Sequence, residues 1–408
     1  MQHRILYAVM LLAGVACKNS LVAPLHQSSE VTAGAAADAQ LMAQVHNYRV
    51  LFDGGTNGYH SYRIPSIIRT NKGTLIAFCE GRMANNKDYG NINLVYKRSF
   101  DNGATWTGLD EVVGKGLGTW GNPTAVTDAA TGRVWLFLSW NDQYHNQQGN
   151  DGYEKIDAWG DRRVYMTYSD DDGATWEDPI DMTSTLLPPG FTWDAMGPGI
   201  GIQTKHGPHP GRLIIPASRR NIYSDDHGAT WHYQLLPDGS GEATIVELPD
   251  GTLMRNDRPG TAQFNIAKRR WISRGAIENG FSAWTPDNTL LDPRCEGSIL
   301  RYTDSPSRIY FLNPASTERR CKMRIRISYD EGATWPVSRR THDWLSDEAT
   351  CDNGKGGYSS LVKTADFMTG ALIEINENVN ANSTSNRSIE FHKFNLSWIL
   401  NGATEPGQ

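Results

Sequence analysis

The sequence predicts an all-β chain folded as a six-bladed β-propeller. Three observations carry that expectation: a recurring octapeptide, short strand-like runs set between turn residues, and the lack of a convincing amphipathic helix of three turns. The octapeptide reads S-x-D-x-G-A-T-W and starts at Ser99, Ser169, Ser224 and Ser328. A worn fifth copy without the Asp lies at Ile277 to Trp284. The later copies fall roughly 52–55 residues apart, close to the length of a four-stranded propeller blade. Residues 46–408 are expected to form one such domain, and six blades fit that length.

Within each octapeptide the residue types suit a tight turn. An Asp carboxylate can accept hydrogen bonds from backbone N–H groups further along, and Gly supplies the positive φ. Ser and Thr hydroxyls tie the hairpin arms, and Trp plugs the gap between neighbouring units. These Asp residues are therefore expected to staple turns and not to catalyse. Between the turns run apolar segments such as 74–78, 134–138, 212–216 and 308–312, each following Gly, Pro or Ser.

Composition narrows the function. Of 408 residues, 39% are hydrophobic and 21% charged, as in ordinary soluble globular proteins. The net charge of -6 gives no basic footprint, so nucleic acid is not an expected partner. Cys17, Cys79, Cys295, Cys321 and Cys351 match no zinc spacing. No clustered His/Asp pattern demands a metal, and no cofactor is expected. The last four cysteines read either as buried thiols or as including a disulfide.

The chain opens with His3 and Arg4 before an apolar run, Ile5 to Ala16. That run is too short to span a bilayer and suits a signal-peptide core. Gly14-Val15-Ala16 before Cys17 resembles a bacterial lipobox, in which the Cys becomes lipidated, although Gly14 stands where Leu is usual. Ordinary cleavage near Ala36–Asp38 is the alternative. Residues 1–17 are thus expected to be a signal peptide and 18–45, rich in Ala, Ser and Gln, a flexible tether. The expected location is exported: periplasmic, secreted, or an outer-membrane lipoprotein anchored at Cys17.

Upstream of the first octapeptide stands Tyr62-Arg63-Ile64-Pro65. It resembles the Y/F-R-I-P motif of the bacterial exo-alpha-sialidases (neuraminidases), glycoside hydrolases with the same Asp-box repeats. From there the likeness runs the length of the domain. The resemblance implies a sialidase-like propeller that removes terminal sialic acid from glycoproteins, glycolipids and oligosaccharides.

Such a substrate carries an ionised carboxylate on its anomeric carbon. Arginine suits it, because a planar guanidinium donates two parallel hydrogen bonds and keeps its proton. The resemblance implies a clamp of three arginines. Arg63 fits by motif, Arg258 by standing 16 residues after Glu242, and Arg320 by its segment, with neighbouring Arg319 as the alternative. Glu374 fits the acid that supports the first arginine, with Glu377 competing.

Tyr358, in Gly356-Gly357-Tyr358-Ser359-Ser360-Leu361, resembles the family's nucleophile segment. Tyrosine is an exception among retaining glycosidases. A carboxylate nucleophile would approach a carbon that already bears a negative group, whereas a neutral phenol avoids that repulsion. Its reference pKa is ~10, so a base must take the proton, and Glu242 fits that role. The segment Glu80 to Asp88 resembles a mobile loop carrying the general acid, Asp88. Desolvation by substrate would raise its pKa. Arg82 resembles a pocket arginine, and Asn122 a neighbour of the N-acyl group. Cys295-Glu296-Gly297-Ser298 resembles a wall near the glycerol chain, and Trp193 and Met196 are candidates for apolar contact.

Together these residues imply a retaining hydrolysis through a tyrosyl-enzyme intermediate. A trans-sialidase would use the same residues and need an aromatic acceptor platform. A non-catalytic sialic-acid-binding propeller would keep the arginines and lack Tyr358, Glu242 or Asp88.

Overall fold

Burial along the strands grades from apolar to polar, and this grading orders the sheets. Val134–Asn141 is buried almost throughout, whereas Ile180–Asp181 and His232–Leu235 are largely exposed. An apolar strand covered on both faces must lie between neighbouring sheets, and a polar one lies at an outer edge. The computed structural model describes residues 43–114, 118–342, 356–375 and 386–406. The signal-peptide reading, the tether as far as residue 42, Cys17, Cys351 and Glu377 lie outside the described residues; at the end of the expected tether the Val45 N–H donates to Asn395 Oδ1 at 3.1 Å.

The described residues form an all-β, propeller-like array of antiparallel sheets. Ile202–Gln203, Leu213–Ala217, Arg220–Ser224 and His232–Leu235 make one four-stranded sheet. Ile245–Glu247, Leu253–Asp257 and Arg269–Ala276 make the next, flanked by Gly280–Phe281 and Thr285–Leu291. Ser298–Thr303, Arg308–Pro314, Met323–Ser328 and Val337–Arg340 follow. Another sheet takes its strands from both ends of the chain. His46–Phe52 pairs with Ser388–Phe394, which continues through Thr369–Ile375 to Ser359–Lys363.

The remaining large sheet has nine strands, where separate blades were expected. One antiparallel run starts at Ser61–Arg69 and passes through Leu75–Arg82 and Ile92–Ser99 to Asp110–Val113. A second passes from Thr119–Thr127 through Val134–Asn141 and Arg162–Ser169 to Ile180–Asp181. A single parallel pair, Ile92 with Thr119, links the two runs. The only α-helical segments among the described residues are short: Thr183–Leu186, Thr261–Ile266 and Leu396–Leu400.

The octapeptides act as turns. Asp101 Oδ1 accepts from the Thr105 N–H at 2.7 Å, and Oδ2 accepts from the Thr105 hydroxyl at 2.6 Å. Asp171, Asp226 and Asp330 repeat the pattern. Gly103 has φ 85°, and a Cβ there would meet Phe391 at 2.3 Å, across in the sheet closed by both chain ends. Trp106 then packs edge-on against the same Phe391 at 5.1 Å. The turn of one sheet thus docks on its neighbour. Trp231 likewise sits edge-on to Phe137 at 4.7 Å.

Cys79 and Cys295 are free and buried, and Cys321 is disulfide-bonded.

Candidate active site

Arg63 leaves Ser61–Arg69 at an irregularity, because the register to Leu75–Arg82 shifts between Arg63 and Ser66. Pro65 has no N–H to continue the ladder. Ile64 has φ 58°, a left-handed conformation that strains a β-branched residue by ~1–3 kcal/mol. Glu374 offsets the strain. Its Oε1 accepts from the Ile64 N–H at 2.8 Å, and its Oε2 accepts from Arg63 Nη2 and from the Tyr358 N–H, both at 3.1 Å. One buried carboxylate therefore fixes both Arg63 and the start of the Tyr358 segment. Gly357 permits this approach, since a Cβ there would lie 2.6 Å from Glu374 Oε2.

Tyr358 is buried. Its hydroxyl donates to Glu242 Oε1 and accepts from Arg258 Nη1 at 2.6 Å. Arg258 Nη1 also lies 2.5 Å from Glu242 Oε2. Glu242 and Arg258 flank the hairpin Ile245–Glu247/Leu253–Asp257, and the Arg258 N–H donates to the Glu242 carbonyl at 2.9 Å. The spacing of 16 residues is thus the length of a closed hairpin. The Arg63 and Arg320 guanidinium carbons stand 5.4 and 5.1 Å from the centre of the Tyr358 ring. Three arginines from three sheets gather around one phenol. Desolvation pushes that phenol well above its ordinary pKa, against the pull of Arg258. Arg320 lines the pocket; Arg319 is not among its lining residues.

Asp88 sits on the loop after Leu75–Arg82, its side chain 72% exposed. Its Oδ1 is 2.8 Å from Arg63 Nη1 and 2.7 Å from Arg82 Nη2. Desolvation within the pocket opposes ionisation, but Arg82 and Arg63 outweigh it and hold the carboxyl well below the usual range. The rise expected on desolvation by substrate concerns the filled site; in the substrate-free site the two arginines favour the ionised form. Arg82 is itself fixed by Glu80 Oε2 at 2.6 Å and donates to the Asn86 carbonyl at 2.6 Å, which orders the loop. Farther along the loop, Lys87 reaches Asp151 at 2.6 Å and the Tyr89 hydroxyl donates to the same carboxylate. Tyr89 also packs edge-on against Tyr153 at 4.7 Å.

Arg82, Asp88, Glu242, Arg258, Arg320 and Tyr358 line a pocket with a volume of about 400 Å³, enough for a monosaccharide. Asn122 lines it, with Nδ2 donating to the Met196 carbonyl at 3.2 Å and Oδ1 accepting from Arg162 Nη2 at 2.8 Å. Trp193 lines it too, 4.5 Å from the Arg162 guanidinium. Two expectations fail here. Met196 is fully buried in the core. Glu296 is also buried, where it accepts from the Ser359 N–H at 2.8 Å, and it braces the Tyr358 segment instead of forming a wall.

Arg162 and Arg294 line the pocket without having been expected. Arg162 precedes no motif; its role depends on Asn122, Asn141 and Asp194, which only the fold brings to it. Arg294 has φ 66° and a buried Nε without a hydrogen-bond partner. Desolvation and the nearby Arg258 lower its pKa.

Comparison with known proteins gives a consistent picture. The family described as BNR repeat-like domain matches residues 73–372. An exo-alpha-sialidase of Arthroderma benhamiae is 46% identical over 366 residues, covering 85% of this chain and 86% of that protein. One of Aspergillus fumigatus is 46% identical over 368 residues, with the same coverage. These two relatives are fungal, so the bacterial part of the resemblance is not carried further. A solved Hadza microbial sialidase aligns with a TM-score of 0.70 at 25% identity, over 86% of this chain and 68% of that one.

Proposed function

The chain belongs to the exo-alpha-sialidase family, and from that premise we propose that it releases terminal sialic acid by double displacement, with Tyr358 as nucleophile. The observation that carries this reading is the phenol held between Glu242 and Arg258, with Arg63 and Arg320 on either side of its ring.

The substrate carboxylate binds Arg63, Arg258 and Arg320. To reach Arg63 it displaces Asp88, and its charge cancels part of the field that held Asp88 ionised. Asp88 then takes up a proton and delivers it to the departing glycosidic oxygen. Tyr358 Oη attacks the anomeric carbon while Glu242 takes the phenolic proton. In the second step Asp88, now a carboxylate, draws a proton from water. The water attacks the same carbon, the Tyr358 bond breaks, and Glu242 returns the proton. Two displacements at one carbon retain its configuration. Asn122 and Arg162 form the polar wall for the ring substituents, and Glu374 positions Arg63.

The test is release of chromophore from an α-linked sialoside by wild type and by Tyr358→Phe. A loss of at least ~100-fold in kcat is expected. Activity undiminished in the variant would remove Tyr358 from the chemistry. Free sialic acid as the product separates hydrolysis from transfer to a second sugar.

We count six blades, taking the nine-stranded sheet as two. Support comes from the inner strands, which neighbour one another in a closed cycle. Ser359–Lys363 meets Ser61–Arg69, then come Thr119–Thr127, Ile202–Gln203, Ile245–Glu247 and Ser298–Thr303, which returns to Ser359–Lys363. Hydroxyls bridge the joints: Ser360 accepts from the Ile67 N–H at 3.0 Å, and Ser298 accepts from the Leu361 N–H at 2.9 Å. Export by the segment 1–17, with lipidation at Cys17, belongs to the same proposal. The mass of the mature N-terminus tests it.

A further inference from the structure

On Ser388–Phe394, Glu390 and His392 are two residues apart and so project from one face of the sheet. His342 arrives two residues after Val337–Arg340 and meets them. His342 Nε2 lies 2.8 Å, and His392 Nε2 3.1 Å, from the same oxygen, Glu390 Oε2. The three potential donor atoms all lie within 4.8 Å of one another, and all three residues are buried.

We propose that His342, Glu390 and His392 bind a late first-row divalent cation of the zinc type, as a structural site at the seam where the two chain ends close one sheet. Three arguments carry it. The donor set of two imidazoles and a carboxylate is one that zinc takes, with a fourth position left to water. Two of the separations, 2.8 and 3.1 Å, lie within half an ångström of the ligand–ligand edge of a tetrahedron, about 3.3 Å for bonds of ~2.0 Å, and the third, within 4.8 Å, closes as the two imidazoles turn towards the ion. Both rings are already oriented. His392 Nδ1 is 3.0 Å from His46 Nε2 and His342 Nδ1 is 3.2 Å from the Thr341 hydroxyl, the outer bonds that metal-binding histidines need. Tyr48, opposite His392 in the ladder, stacks on that ring at 5.0 Å and meets His342 edge-on at 5.2 Å. A cation here would join the segment after Val337–Arg340 to Ser388–Phe394, the strand that pairs with His46–Phe52.

The experiment uses the full chain, stripped with a chelator and titrated with zinc chloride against a chromophoric competitor. Metal content and Tm are read in parallel. Wild type is expected to hold one equivalent and to gain about 3–5 °C at a hundredfold excess over Kd. Glu390→Gln keeps the size and one acceptor of the side chain. It should bind zinc at least ~10-fold more weakly while still hydrolysing a sialoside, which shows that it has folded. Cobalt loaded into wild type should give the visible bands of a four-coordinate site, and this arm needs no variant. No stoichiometric uptake, no cobalt bands, or equal affinity in wild type and Glu390→Gln would each overturn the proposal. The cluster would then be held by hydrogen bonds alone.

Discussion

Asp88 Oδ1 rests 2.8 Å from Arg63 Nη1, so the free site sets the proposed acid against a cation of the proposed substrate clamp. The contact keeps Asp88 ionised and partly neutralises three converging arginines before substrate arrives. In the proposed mechanism it also links binding to chemistry, because the anion that displaces Asp88 is the one whose charge lets it be protonated. Asp88→Ala should therefore spare binding and slow cleavage. With an unactivated sialoside kcat should fall ~10²–10⁴-fold. With a nitrophenyl leaving group, which departs without a proton, the loss should be far smaller. Equal losses on both substrates would remove Asp88 from the acid role.

Glu242 is the only carboxylate on the Tyr358 hydroxyl among the described residues. Glu242→Gln leaves a neutral acceptor that cannot take the phenolic proton. Steady-state kinetics should show kcat reduced ~10²–10³-fold with KM changed by less than about threefold. A rise in KM alone would make Glu242 a binding group.

Glu374 accepts from Arg63, from the Ile64 amide and from the Tyr358 amide. In Glu374→Gln, an NH₂ would face one of these donors inside the protein. Denaturant unfolding should show a loss of ~2–4 kcal/mol. KM should rise more than kcat falls, because Arg63 loses its support while Tyr358 and Glu242 keep each other.

Acid should loosen the octapeptide turns. Hydrogen bonds from the Thr105 hydroxyl and N–H lower Asp101 from its ordinary value to about 2. Asp171 is also lowered to about 2, where desolvation is outweighed by Thr175. Because the folded value lies below the unfolded one, the stabilising contribution is complete above pH ~4. It drains away as pH falls towards 2. Calorimetry should show Tm dropping across that window, and dropping less steeply in Asp101→Asn, which starts lower.

The clasp on the acid's loop joins Lys87 and Tyr89 to Asp151. Asp151→Ala should release the loop without touching substrate. A two- to fivefold rise in KM, about 0.4–1 kcal/mol, is expected. Unchanged KM and kcat would show that the loop is held by Arg82 alone.

Repetition made the fold legible. Four copies of one turn announce repeated hairpins, and each Gly and Trp in them performs a local task that a short peptide can display. The gathering of the candidate set was legible where the chain itself carries the geometry, as in the hairpin that returns Arg258 to Glu242. Arg162, Arg294 and the Lys87–Asp151 clasp were not, because their partners come from other strands and no spacing along the chain foretells them. The same holds for His342, which only the fold brings to Glu390 and His392 on Ser388–Phe394. The depressed value of Asp88 in the substrate-free site was not foretold, for a related reason. Burial could be guessed from the sequence, but the two arginines that outweigh it are fixed by side-chain placement. The fusion of two strand runs into one nine-stranded sheet depends on a single backbone contact, Ile92 with Thr119, that side-chain pattern does not encode.

The pairing of His46–Phe52 with Ser388–Phe394 has a consequence for biogenesis. A polypeptide emerging in order must keep its first strand waiting, edge bare, until its last strand follows. Until then the sheet that begins at Ser359–Lys363 lacks its two outer strands, although its inner strand can already meet Ser61–Arg69. Pairing of these two strands is therefore a late event of maturation, and a nascent chain stalled before Ser388 would leave His46–Phe52 without its partner.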